Sequence, residues 1–140
     1  MSLSFDAVNY LAVVVAGVVM FLLGGAWYTA LFGKIWVNLH GYSETRLQQM
    51  KAKRPPALFF TGMIICYLLI SLALGVVIAT FAIDGLLGGL LLGLIAWVIV
   101  AGFRFTGWLA TDNHLGIFLI DAAFDLVALL VAGGLLGAWQ

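Results

Sequence analysis

Four apolar runs, each longer than the roughly 20 residues that cross a bilayer as a helix, fill most of this 140-residue chain. They fall at about 6–32, 57–81, 85–109 and 114–139. Of all residues 65% are hydrophobic and 9% are charged, against about 25% charged in an ordinary soluble domain. A soluble fold of this length has too little interior to hide that much apolar surface. The expected class is therefore an all-α integral membrane four-helix bundle, with one transmembrane domain over residues 1–140.

The links between the runs are unequal. Ile83-Asp84 and Ala110–Asn113 are tight turns, with Thr111, Asp112 or Asn113 as candidate N-cap of the last helix. The stretch 33–56 is the only long one. It holds Lys34, Arg46, Lys51, Lys53 and Arg54 against Glu44 alone. The positive-inside rule puts this basic loop in the cytoplasm and both termini outside, in a multi-pass arrangement suited to a bacterial inner membrane. Ser43 can cap a short surface helix from Glu44 to Lys53, with Leu47 and Met50 toward lipid; a solvated loop that only sets topology is the simpler expectation. The first run has no basic residue before it and carries Asp6, so it reads as a retained helix rather than a signal peptide. Pro55 and Pro56 suit the start of the second. Cys66, the one cysteine, reads as a small buried hydrophobe.

Two acids break the last apolar run. A carboxylate near the middle of a bilayer costs roughly 2.5–3.5 kcal/mol on insertion scales. Asp121 and Asp125 are four apart and share a helix face. Arg104, in the preceding helix, lies at a depth where it can pair with Asp121. Asp125 sits one turn deeper, with no second base in reach and Tyr67 at a similar level. His114 precedes Asp121 by two turns, so it can line a path from the loop side toward the acids. Three readings follow. Arg104 neutralises Asp121 in a purely structural pair while Asp125 hydrogen-bonds to Tyr67 or a carbonyl. Or the acids form a proton or cation site, in which like charges one turn apart titrate together. Or the acids and His114 bind a metal or perform catalysis. No phosphate-binding loop, Cys/His metal spacing or nucleophile elbow is present, so no cofactor or metal is expected. His40 is isolated and reads as solvated. Nucleic acid is not an expected partner, because the basic cluster is accounted for by topology.

Small residues recur at helical spacing: Gly85, Gly89 and Gly93 in the third run, Ser71, Gly75 and Ala79 in the second, Gly133 and Gly137 in the fourth. Such ridges let helix backbones approach closely, within one subunit or across a homo-oligomer face.

The end of the first run carries Gly24-Gly-Ala-Trp-Tyr-Thr-Ala-Leu-Phe-Gly-Lys-Ile-Trp36. The physics of Trp27, Tyr28, Phe32, Gly33, Lys34 and Trp36 suggests an interface anchor, with aromatics at headgroup depth, Gly33 ending the helix and Lys34 meeting phosphate. Trp27 and Tyr28 can alternatively turn inward over Arg104. This stretch, and the Gly-rich ending before Trp139, resemble a bacterial family of small four-helix membrane proteins of unknown function. The resemblance implies the fold but no activity. Its members often carry Asn and His at the positions of Asp121 and Asp125, which implies that polarity rather than acidity is the shared feature. The expected role is a non-enzymatic scaffold or accessory membrane protein, in a homo-oligomer or larger complex in the lipid bilayer. The alternative is a small proton- or cation-coupled transporter or channel using the two aspartates.

Overall fold

The computed structural model describes all 140 residues as helices and short connections, with no strand. There are six helices rather than four: α1 Tyr10–Ala26, α2 Gly33–His40, α3 Glu44–Lys53, α4 Pro56–Phe81, α5 Gly85–Leu109 and α6 Leu115–Ala138. Four have the length and apolarity to cross a membrane: α4, α5, α6, and α1 with the widened turn that extends it to Leu31. The two additional helices lie in the basic stretch. There the Ser43 hydroxyl accepts the Arg46 amide at 3.1 Å and starts α3, and Gly41 ends α2 at φ 69. The basic stretch is thus the helical option of the two considered for it.

Each span begins or ends for a local reason. Asn9 caps α1 by accepting the Ala12 amide, and its own amide donates to the Trp139 carbonyl at 2.8 Å, tying α1 to the end of α6. Pro56 opens α4, where its missing N–H costs nothing. The α6 cap is His114, whose Nδ1 accepts the Gly116 amide at 2.9 Å. None of the three cap candidates in the preceding turn serves, because the helix starts one residue later. Cys66 is exposed on α4, not buried.

Helices α1, α4 and α6 enclose the apolar core, where Ala12, Ala16, Met20, Ile78, Ala132 and Leu136 are almost fully buried. The Ser71 hydroxyl, also buried, donates to the Val13 carbonyl at 2.7 Å, and Gly75 gives Val13 room beside it. Helix α5 places no fully buried residue in that core; Leu92, Ala96 and Trp97 pack against its edge. It packs almost wholly on α6, and only 11% of its apolar window is buried, against 28–33% for the other three. Its contact is a seam of glycines within the one chain. A Cβ on Gly89 would overlap the Gly133 carbonyl, and one on Gly93 the Leu129 carbonyl. Only hydrogen at these positions permits the approach, in line with small-residue ridges in membrane helices. The bundle thus has a termini end, closed by glycine, alanine and leucine, and a loop end, where α2 and α3 lie.

Candidate functional site

The charged side chains within the spans converge at the loop end, on the first three turns of α6. Arg104 grips Asp125 with two charge-assisted hydrogen bonds, from Nε to Oδ2 at 2.5 Å and from Nη2 to Oδ1 at 3.0 Å. Its Nη1 stands 3.5 Å from Asp121 Oδ2. The expected pair with Asp121 is present as the longer contact, and the deeper aspartate, for which no base was expected in reach, takes the fork. Asp125 lies about three turns past the start of α6 and Arg104 fewer than two turns before the end of α5, so the long arginine side chain spans the difference. Tyr67 makes no hydrogen bond to Asp125; its hydroxyl lies near Gly24 and its ring packs at 6.2 Å on Phe124.

Asp121 is satisfied from another direction. The Tyr28 hydroxyl donates to Oδ1 at 2.6 Å and the Trp36 indole donates to the same oxygen at 3.0 Å. Two further indoles reach backbone carbonyls beside it: Trp27 Nε1 donates to Ile120 at 3.2 Å, and Trp97 Nε1 to Ala122 at 2.8 Å. The motif expected to anchor at the headgroups is therefore turned inward. Its aromatics also do not roof Arg104; they hydrogen-bond to α6. Phe124, 4% exposed, fills the space among Trp27, Tyr28 and Tyr67 at ring distances of 6.1, 5.4 and 6.2 Å.

A local device makes this inward turn possible. Residues Trp27–Leu31 form a π-helical turn, closed by the Phe32 amide donating to the Trp27 carbonyl at 2.8 Å. The wider turn brings two consecutive residues, Trp27 and Tyr28, against α6, which an α-helix with 100° per residue does less well. Gly33 does not terminate a helix; it begins α2. A Cβ there would overlap the Tyr28 carbonyl, so glycine is what lets the chain fold back and bring Trp36 to Asp121. Phe32 packs on Trp27 at 4.8 Å. Lys34 points away from the acids, into an open recess with Thr29, Asn38 and Leu47.

His114, expected beside the acids, is consumed as the exposed cap of α6. His40 takes the place beside them. Its ring stacks on Tyr42 at 4.8 Å and packs at a tilt against Trp36 at 3.9 Å. It lines a recess of about 200 Å³ at the loop end that reaches Arg104 and Asp121. Sequence reasoning passed over His40, Trp97 and the inward role of Trp36. One signal was available. Two carboxylates share one basic residue within the spans, so neutral donors have to supply the rest, and tryptophan and tyrosine are the donors at that depth.

No buried side-chain nitrogen or oxygen lacks a partner, and no three His, Cys, Asp or Glu side chains group closely enough to hold a metal ion. Arg104 is 37% exposed, Asp121 16% and Asp125 12%. A family model described as a protein of unknown function, DUF1761, matches residues 11–137. The chain belongs to that family. The DUF1761 match runs through all four membrane-length helices, the π turn and the acid cluster. Neither the curated proteins nor the solved structures gave a match.

Proposed function

We propose that this DUF1761 protein is a non-enzymatic membrane scaffold or accessory subunit in a bacterial cytoplasmic membrane, with its basic α2–α3 segment in the cytoplasm and both termini outside. One observation carries the reading. Every oxygen of the two intramembrane carboxylates faces a donor, and the donors come from α1, α2 and α5. A cluster so occupied joins helices. The uncovered flank of α5 supports assembly with a second copy or another membrane protein, since its apolar face has only α6 behind it. The orientation rests on the basic excess of residues 33–56.

The test is the stability and size of the purified protein in mild detergent. Asp121→Ala and Arg104→Ala are expected to lower the thermal midpoint and to change the oligomer peak. Wild-type stability in both variants would refute the reading.

A proton- or cation-coupled carrier is the second reading, favoured by the recess that reaches Arg104 and Asp121 from the loop end. Against it, Met20, Ile78 and Leu136 fill the bundle toward the termini end. It requires pH-dependent flux in proteoliposomes that Asp125→Asn abolishes.

A further inference from the structure

The recess at the loop end is polar, aromatic and charged in a combination that the clamp itself does not use. Asp121 and Arg104 line it together with the aromatic rings of Trp108 and Phe118, with His40 and with Asn113. Two carboxylates, Asp121 and Asp125, share the one guanidinium of Arg104. The guanidinium is held against Asp125 by two of its N–H groups. Asp121 Oδ1 is taken by Tyr28 and Trp36, but Oδ2 has only the longer ion pair at 3.5 Å, so it keeps accepting capacity.

His40 adds an acceptor. Its Nδ1 lies 2.9 Å from the Trp36 carbonyl. A carbonyl only accepts, so Nδ1 carries the hydrogen, and in the neutral ring Nε2 is then a bare lone pair. A carboxylate oxygen, an imidazole lone pair and aromatic faces are the surroundings that favour an ammonium group. The volume of about 200 Å³ is below the 300–1,000 Å³ usual for small-molecule pockets, which suits a headgroup-sized cation. The lining also argues against a metal ion, because no three metal-ligating side chains converge.

We propose that this recess binds an organic ammonium group through Asp121, His40 and the faces of Trp108 and Phe118. Two sources share that chemistry: the headgroup of an amine-bearing phospholipid, which lies at the depth of the α5–α6 turn, and a small free amine. The site does not depend on the scaffold reading, which concerns how the helices are joined.

The experiment is native mass spectrometry of the delipidated protein re-equilibrated with phosphatidylethanolamine or phosphatidylglycerol of identical acyl chains, alongside thermal shifts with ethylammonium chloride. A lipid source predicts phosphatidylethanolamine retained at least tenfold more tightly than phosphatidylglycerol. A free-amine source predicts a thermal shift with ethylammonium and no lipid preference. Gly107 lines the recess, and a Cβ there meets nothing within 4 Å. Gly107→Leu is therefore expected to fill the recess, keep the thermal midpoint and remove the preference or the shift. Asp121→Asn, which keeps the shape and removes the charge, is expected to weaken binding about tenfold or more. Equal retention of both lipids with no ethylammonium shift overturns the proposal, and so does a preference that survives Gly107→Leu. The scaffold reading fails on a different result, undiminished stability of the Ala variants, whatever the protein binds.

Discussion

At the termini end of the bundle α5 and α6 meet glycine on glycine; at the loop end the same two helices meet through Arg104, Asp121 and Asp125. The first contact is backbone against backbone, with Gly89 and Gly93 facing Gly133 and Leu129. The second is a forked ion pair with neutral donors gathered around it. Lipid chains are as apolar as leucine, so burial alone does not drive helices together in a bilayer, and close packing and hydrogen bonds remain. The two ends divide these between them. The glycine seam fixes how near α5 stands to α6. The polar cluster fixes rotation and depth, and it ties α2 to the bundle through Trp36, while Leu39 packs beside Gly116. The seam recruits no third helix, while the cluster recruits three segments.

This contrast can be broken from either side. The largest effect is expected at the seam. Gly89→Val would force the helices apart along its whole length and should cost about 4 kcal/mol or more, read as loss of the folded fraction in a detergent denaturation series; a loss below about 1 kcal/mol would mean that the seam is slack. Next is Asp125→Ala, which strands the guanidinium. The usual cost of breaking a buried pair is about 3–5 kcal/mol, and the lower end applies because Arg104 is 37% exposed. The same titration should show that pairing Asp125→Ala with Arg104→Met recovers part of the loss. Tyr28→Phe and Trp36→Phe each delete one donor to a carboxylate and should cost about 1.5–3 kcal/mol, with fluorescence of the remaining tryptophans reporting whether the π turn stays docked. Ser71→Ala, which removes a single buried bond at the termini side, should cost about 1 kcal/mol in thermal melts. Smallest is Gly102→Ala. A Cβ there meets nothing within 4 Å, so the midpoint should hold or rise by up to about 1 kcal/mol equivalent; a large loss would place an unseen contact on the open flank of α5.

Much of the termini end could be read from the chain. Ridges of small residues four apart have one physical use in apolar helices, and Gly85, Gly89, Gly93, Gly133 and Gly137 follow it. The membrane-length helices follow from the apolar runs, and a serine followed by Glu44 marked the start of α3. The loop end was legible in its residue types but not in its partners. Depth along a helix is easily counted, yet Arg104 lies level with both aspartates within the length of its own side chain, and three side-chain torsions decide between them. The inward turn of Trp27, Tyr28 and Trp36 was hidden for another reason. Tryptophan and tyrosine at a helix end satisfy the headgroup region as well as they satisfy a buried carboxylate. The π turn that tips the balance adds one residue per turn without any composition of its own. His40 and His114 exchanged roles because capping is settled by a single backbone step at Leu115.

The hydrogen bonds that seat Trp27 and Tyr28 span 93 residues, and that of Trp36 spans 85. Their acceptors belong to α6, which is made long after the segment that donates to it. Until α6 is made, the three aromatics have neither Asp121 nor the Ile120 carbonyl to meet. The α5–α6 hairpin, with its short turn and local contacts, can close by itself. Its arrival then supplies the acceptors that the three aromatics lack. The motif is thus completed by a part of the chain made long after it.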